Sequence, residues 1–223
     1  MIPVFLFSLS IHEFAHAYAS NRAGDMYATY LGRLTLNPIA HIDLFGTILF
    51  PAMLLISTGG QFFFGWAKPV PVNPLRFKKA YWEVIVSGAG PASNFLVATV
   101  FWLLLFILIK TELISGFNQD KIREIILGIN QDKTLGLLFF IPFYFILTNL
   151  VLGLFNLLPI PPLDGSHILF YFLWHKEWGK PICEFLSRFG FILILIIILP
   201  GTGDFFDRII AKIFNLVFTP IFG

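Results

Sequence analysis

The chain has 223 residues, of which 57% are hydrophobic, 13% are charged and 28 are phenylalanine. Soluble domains carry about 25% charged residues and phenylalanine is favourable in the bilayer core, so the composition indicates an integral membrane protein. The net charge of +2 gives no reason to expect a nucleic-acid partner, and the single cysteine excludes a disulfide framework or a cysteine-based zinc site.

Apolar stretches recur along the chain, and a helix that spans a bilayer needs about 20 apolar residues. In chain order they cover residues 2–19, 44–57, 82–109, 134–158, 168–174, 182–199 and 205–218. The first two are short for a span, 168–174 is too short to span alone, and 205–218 is expected to be amphipathic or interfacial. We therefore predict an all-α, polytopic helical bundle with four to six membrane elements, forming a single integral-membrane domain over residues 1–223. The first stretch lacks a basic flank and a small-residue cleavage site, so we expect it to be retained rather than cleaved.

Two connections cannot be regular helix. The segment GGQFFFGWAKPVPVNP at 59–74 contains Pro69, Pro71 and Pro74, which exclude an uninterrupted helix, and we predict a β-like or re-entrant segment there. The second, PIPPLDG at 159–165, breaks the chain directly after the fourth apolar stretch. Irregular backbone at membrane depth is tolerated where it is buried in protein or lines a wet cavity.

The remaining long connection, residues 110–133, mixes both signs of charge and is expected to be a solvated loop or a surface helix. If every long apolar stretch crosses the membrane, lysine and arginine are divided evenly between the two sides. The positive-inside rule needs an asymmetry, so the sequence predicts no orientation.

The first apolar stretch carries three ionisable residues in five positions, His12, Glu13 and His16, within SLSIHEFAHAYAS. Residues four apart lie on one helix face, about 6 Å apart along the axis, so both imidazoles can grip one ion while Glu13 reaches water beside it. An ionisable residue in a membrane span costs roughly 2.5–3.5 kcal/mol on insertion scales, and a bound divalent cation would compensate all three. The pattern predicts one zinc ion per chain, the alternative being histidines that only hydrogen-bond to neighbouring helices.

A catalytic zinc site takes three protein ligands and leaves one position open. Asp164 is the best remaining candidate, because it follows a long apolar helix and its charge would balance the ion. The alternative is that the x-P-x-D-G pattern only reverses the chain. Asn156 could donate to a substrate carbonyl or a developing oxyanion, whereas Asn149 is as readily explained by hydrogen bonding across helices.

For other polar positions the sequence allows both a structural and a functional interpretation. His41 is more often structural than functional, and Asp43 could accept a hydrogen bond from a ligand. The run SGAGPASN at 87–94 favours close helix packing, with the alternative that Asn94 faces the active-site cavity.

HEFAH in an apolar helix, followed far downstream by NLLPIPPLDG, resembles the site-2 protease family of intramembrane zinc metalloproteases. That family pairs H-E-x-x-H with N-x-x-P-x-P-x-x-D-G. The stretches GRLTLNPIAHID, GWAKPVPVNP and SGAGPASN resemble its compact prokaryotic branch without a PDZ domain, and the resemblance covers residue 12 to about residue 170. It implies zinc held by His12, His16 and Asp164, with Glu13 as the catalytic carboxylate and Asn156 near the substrate.

The resemblance further implies a multi-pass protein of a prokaryotic cell membrane, surrounded by lipid bilayer, that cuts transmembrane substrates within or near the bilayer. An upstream site-1-type protease is a candidate partner. Two alternatives stay open: a divalent-cation transporter with a histidine transit site, and an inactive relative that binds membrane segments without cutting them. The sequence departs from the branch at Leu44, where proline is usual. Because few residues precede His12, we expect either a start further upstream or a first helix that enters the membrane from one side only.

Overall fold

A computed structural model describes residues 2–60, 65–111, 119–127, 132–198, 208, 211–212 and 215–220. Within these ranges the regular structure is helical, as predicted. The α-helices are α1 (Ile2–Ala23), α2 (Tyr27–Tyr30), α3 (Phe50–Ser57), α4 (Trp82–Lys110), α5 (Gln119–Ile126), α6 (Lys133–Asn156), α7 (Asp164–Leu173) and α8 (Gly179–Ile198). Short 3₁₀ turns cover Pro38–His41 and Pro74–Arg76, and a π-helix, Leu44–Leu49, leads into α3.

Two helices in the described ranges, α4 and α6, are long and apolar enough to cross a membrane. With 29 and 24 residues, they extend about 44 and 36 Å at 1.5 Å per residue. The apolar stretch Leu44–Ser57 forms a shorter helical unit, because the π-helix and α3 together end at Ser57. Among the described residues, helix length and composition therefore support two of the four to six membrane elements predicted from the sequence.

The core of the bundle consists of α4 flanked by α1 and α6, both antiparallel to it. Along α1, His16 contacts the backbone of Val86 near the start of α4, whereas Ser8 contacts Asn94 further on. Between α4 and α6, the rings of Phe101 and Phe145 stack with centroids 4.1 Å apart. An apolar cluster joins α4 and α6 to the short helical segment 215–220, and it contains Leu105, Leu108, Ile109, Phe139, Ile146 and Phe218.

The end of α1 is tied to the start of α4 by polar contacts. The Lys78 amide donates to the Ala23 carbonyl at 2.8 Å. Asp25 is fully buried; its carboxylate accepts hydrogen bonds from the amides of Tyr27 and Asn73 at 3.2 and 2.8 Å, and Arg76 lies 3.3 Å away. The connection between α1 and α4 therefore begins and ends at the same end of the bundle.

The proline-rich segment forms no β-ladder in the part that the structure describes, residues 65–73. Its amides alternate, as in an extended chain: Trp66 donates to the Gly46 carbonyl at 3.0 Å and Lys68 to the His41 carbonyl at 2.9 Å. The prolines prevent a regular helix in this segment. Its amides bond to carbonyls of the π-helix and of the 3₁₀ turn that ends at His41, rather than to another strand. The β-like or re-entrant prediction is therefore not confirmed, and residues 61–64 lie outside the described chain.

Two further predicted regions are described only in part. The charged connection at 110–133 contains α5, while residues 112–118 and 128–131 lie outside the described residues. Of the stretch predicted to be interfacial, 205–218, the described part at 215–218 belongs to the helical segment that packs on α4 and α6.

Candidate metal centre

Three side chains converge where the start of α7 meets the middle of α1. The Nε2 atoms of His12 and His16 lie 3.1 Å apart. Asp164 Oδ2 lies 3.1 Å from His12 Nε2 and 3.3 Å from His16 Nε2. We call this arrangement the ligand triangle, and its members are the three residues that the sequence nominated as metal ligands.

The hydrogen bonds behind the imidazoles determine which ring nitrogens carry protons. His16 Nδ1 lies 2.7 Å from the Val86 carbonyl oxygen and His12 Nδ1 lies 2.6 Å from Asn94 Oδ1. Because these oxygens can only accept, each neutral ring is protonated at Nδ1 and presents a lone pair from Nε2. Three acceptor atoms therefore face one another, and the buried Asp164 Oδ2 has no hydrogen-bond donor among the described residues.

A cation at the centre of the triangle removes this conflict, and zinc has a suitable size. Zinc bonds imidazole nitrogen and carboxylate oxygen at about 2.0–2.2 Å, and in tetrahedral coordination such ligand atoms stand about 3.3–3.5 Å apart. The edges of the triangle, 3.1 to 3.3 Å, are close to that spacing. Two imidazoles and one carboxylate also form the three-ligand set of catalytic zinc, which leaves the fourth position open.

The break between α6 and α7 positions Asp164. Gly165 packs so tightly on the end of α6 that a β-carbon there would overlap the Leu157 carbonyl. From the other side, α8 approaches the break closely, since a β-carbon on Gly190 would lie 2.5 Å from the Pro161 carbonyl oxygen. The break is thus held between α6 and α8, and Asp164 begins α7 with its carboxylate beside α1.

Gly90 lets α4 pass directly beside the ligand triangle. A β-carbon at this position would lie 2.5 Å from His12 Cε1 and 2.6 Å from His12 Nε2, and it would also overlap His16 Nε2. The close helix approach expected of the small-residue run is therefore observed, and here it serves the imidazoles. The sequence marks the run but does not indicate which of its glycines faces them.

Glu13 lies beside the ligands but outside the triangle. Its side chain is buried, and Oε2 accepts a hydrogen bond of 2.8 Å from the Val70 amide. Val70 belongs to the segment 65–73, which thereby covers the carboxylate. Because the contact uses a backbone amide between two prolines, no side-chain pattern in the sequence points to it.

The described hydrogen bond of Asn156 stays within its own helix. Its Nδ2 donates to the Leu152 carbonyl at 2.9 Å, one turn back on α6. Asn94 is instead the amide that touches a ligand, since it accepts from His12, and Asn149 bonds to Asn94 in turn. The sequence left open whether Asn94 faces the active-site cavity. In the structure its oxygen contacts His12 Nδ1, the ring nitrogen that does not face the ligand triangle.

His41 and Asp43 have structural partners. His41 is buried with Nε2 2.8 Å from the Thr35 carbonyl oxygen. Asp43 caps the π-helix by accepting a 2.7 Å hydrogen bond from the Gly46 amide, which differs from the expected role beside a metal ligand. Leu44, where the sequence departs from the family pattern, is the first residue of that π-helix.

The closeness of Gly90 to both imidazoles yields a test by substitution. We expect Gly90→Ala to lower zinc affinity at least 100-fold, because the added methyl group would displace His12 and His16 from the triangle. Gly88→Ala is the matched control on the same helix, since its β-carbon would meet only Ile168 Cδ1, at 4.0 Å. Zinc content after purification and competition with a chromophoric chelator measure the effect. Equal zinc affinity in the two variants would contradict the described approach of α4.

Comparison with known proteins places the chain in a family. The profile of Peptidase family M50 matches residues 1–197. "Putative zinc metalloprotease YwhC" of Bacillus subtilis is 36% identical, covering 99% of this chain and 93% of its own length. "Putative zinc metalloprotease Rip2" of Mycolicibacterium smegmatis is 31% identical, covering 96% of this chain and 73% of its own length.

A more distant similarity is local. "Regulator of sigma-E protease RseP" of Escherichia coli is 37% identical over 75 residues, which is 33% of this chain and 16% of that protein. No solved structure matches the chain. The whole-chain matches and the converging ligand triangle agree, and the chain belongs to peptidase family M50, the site-2 protease family of zinc metalloproteases.

Proposed function

We propose that the protein is an intramembrane zinc endopeptidase that hydrolyses peptide bonds of transmembrane substrates within or near the bilayer. The observation that carries the proposal is the ligand triangle of His12, His16 and Asp164 with Glu13 beside it. Family membership supplies the reaction class, and the apolar α4 and α6 supply the membrane setting.

Each protein group has a distinct task in this proposal. Zinc, when bound, supplies a Lewis acid that polarises a carbonyl oxygen and lowers the pKa of water toward about 7. His12 and His16 hold the ion through neutral nitrogen, and Asp164 contributes the negative charge that balances it. Asp164 opens α7, where the helix dipole favours a carboxylate.

Glu13 is the proposed general base and acid. It takes a proton from the attacking water and passes it to the leaving amine. The Val70 amide holds one carboxylate oxygen, so the other oxygen can exchange protons without the side chain losing its place. Burial of His12 and Glu13 keeps the surroundings poorly screened, which strengthens every charge interaction in the site. For Asn156 we retain the proposal of a contact with the substrate carbonyl, which can use the second N–H of its amide while the first donates to the Leu152 carbonyl.

The ligand triangle favours this reaction over cation transport. A transport path needs several weak sites in succession, whereas the described ligands meet at one point. An inactive relative would have no use for a carboxylate held beside the ligands by a backbone amide. A cleavage assay on the wild type and on Glu13→Gln tests the proposal against both alternatives, since neither a transporter nor an inactive relative would cleave the peptide.

We expect Glu13→Gln to bind zinc like the wild type and to cleave about 10²–10⁴-fold more slowly, the usual contribution of a general base. The assay is cleavage of a transmembrane peptide reconstituted with the protein in liposomes, with zinc content measured on the same sample. Cleavage at the wild-type rate would contradict the role of Glu13. Zinc flux into the liposomes without any cleavage by the wild type would favour the transporter.

We further propose that a substrate strand pairs with the outer edge of the segment 65–73. Its amides at Trp66, Lys68 and Val70 are already used inward. The outer edge offers carbonyl acceptors at Pro69 and Pro71, which have no N–H, so the substrate must supply the donors there. An upstream protease partner stays a prediction from the family resemblance alone.

This pairing is testable by site-specific photo-cross-linking. A photoreactive residue at the exposed Pro69 is expected to cross-link a bound transmembrane peptide in the Glu13→Gln background. The same probe at Leu75, which is 95% exposed but lies beyond the segment, should not. Equal yields at the two positions would argue against strand pairing.

The helix ends also support an orientation in a cell membrane, with residues 1–223 as one multi-pass domain. The end of α1 lies beside the start of α4, and Leu44–Ser57 is too short to cross, so the described parts of the connection, 24–60 and 65–81, stay on one side. That side carries Arg22, Arg33, Lys68, Arg76, Lys78 and Lys79; the connection between α4 and α6 carries Lys110, Lys121, Arg123 and Lys133. By the positive-inside rule, we propose that the first side is cytoplasmic.

Cysteine labelling tests the orientation. In a Cys183→Ser background, Thr111→Cys is expected to react with a membrane-impermeant maleimide on intact cells. Leu75→Cys should react only after the cells are permeabilised. The opposite pattern would reverse the proposed orientation.

A further inference from the structure

Behind the ligand triangle, a buried chain of polar side chains joins α1, α4 and α6. It runs from His12 Nδ1 to Asn94 Oδ1 at 2.6 Å, from Asn94 Nδ2 to Asn149 Oδ1 at 2.8 Å, and from Asn149 Nδ2 to Ser8 Oγ at 2.8 Å. Asn94, Asn149 and Ser8 each have 0% exposure. We call these four residues the polar relay.

Two backbone carbonyls set the directions of the hydrogen bonds in the relay. The longer contact joins Asn94 Nδ2 to the Ser8 carbonyl oxygen at 3.5 Å, and the shorter one orients Asn149. Asn149 Nδ2 also lies 2.8 Å from the Phe145 carbonyl oxygen, which can only accept. The nitrogen of the Asn149 amide must therefore face Phe145, and its oxygen must face Asn94. Since two amide oxygens cannot bond to each other, Asn94 turns its nitrogen toward Asn149 and its oxygen toward His12.

The orientation of Asn94 decides which nitrogen of His12 can bind a metal. With its oxygen toward the ring, Asn94 requires a proton on His12 Nδ1, and Nε2 keeps the lone pair that a cation needs. A flipped Asn94 would donate to Nδ1 and shift the proton to Nε2, which then could not act as a ligand. His16 needs no such arrangement, because its Nδ1 bonds directly to the Val86 carbonyl, which cannot flip.

We propose that Asn94 is a positioning residue for the metal centre, and that Asn149, anchored on the Phe145 carbonyl, fixes the amide orientation of Asn94 and so the metal-binding tautomer of His12. This rests on the proposed zinc coordination by His12. A role limited to joining helices explains an Asn94–Asn149 contact, but it does not require that the oxygen of Asn94 face the imidazole.

Three variants of the full-length protein in detergent separate the two roles through the dissociation constant of zinc, measured by chelator competition. Asn94→Leu removes the acceptor for His12, and Asn149→Leu removes the anchor; both are expected to weaken zinc binding 10–100-fold, as loss of a ligand's supporting hydrogen bond does. Ser10→Ala is the control, because the buried Ser10 bonds only to the Leu6 carbonyl of its own helix among the described contacts.

Wild-type zinc affinity in both leucine variants would overturn the proposal. Should Asn94→Leu fail to fold, Asn149→Leu decides, because it leaves Asn94 in contact with His12. Nitrogen-15 NMR of histidine-labelled, zinc-free protein gives a second readout: His12 should carry its proton on Nδ1 in the wild type and populate both tautomers in Asn149→Leu. A wild type that binds no zinc would refute the proposed function, while the tautomer measurement would still test the relay.

Discussion

Three hydrogen-bond acceptors face one another inside an apolar helical bundle when both imidazoles are neutral, and a cation between them removes that conflict. Neutral His12 and His16 cannot relieve the conflict by donating to Asp164, because each ring then has one N–H and uses it on the partner behind it. The rest of the site follows from this requirement. The helix that passes beside the imidazoles must carry glycine at residue 90, and the chain must break after α6 to bring a carboxylate to the third corner.

Hydrogen bonds from neighbouring elements hold the side chains around the ligand triangle. Val86 and Asn94 hold the two imidazoles, and the Val70 amide holds Glu13. Buried polar groups are costly unless they are hydrogen-bonded, so this network stabilises the fold while it orients the ligands. The same contacts link the site to the segment 65–73, which reaches Glu13 at one point and Asp25 at its far end. A movement of this segment would therefore displace the carboxylate of Glu13, the proposed general base.

Features of the site that depend on residues close together in the sequence are predictable from it. Features that depend on contacts between distant parts of the chain are less so. The spacing of His12 and His16 on a helix is a short-range property, and the apolar length of α4 and α6 is likewise visible in the sequence. Asp164 is predictable for a different reason: two neutral imidazoles need a balancing charge, and the chain offers a carboxylate in a break at membrane depth.

Other features depend on contacts that leave no side-chain signature. The amide of Val70 is backbone, and the orientation of Asn94 depends on a carbonyl on another helix. The stretch Leu44–Ser57 is apolar but short, and it begins as a π-helix capped by Asp43. If it stays on one side of the membrane, as proposed, lysine and arginine are no longer divided evenly between the two sides. Asn156 matches a motif, yet its described hydrogen bond stays within α6.

X-ray absorption at the zinc edge of purified protein tests the central claim most directly. One zinc per chain with two imidazole nitrogens and a carboxylate oxygen at about 2.0–2.2 Å, and loss of that oxygen in Asp164→Ala, is the predicted result. A protein that retains no zinc after gentle purification, or a zinc environment unchanged by Asp164→Ala, would contradict the assignment of the three ligands.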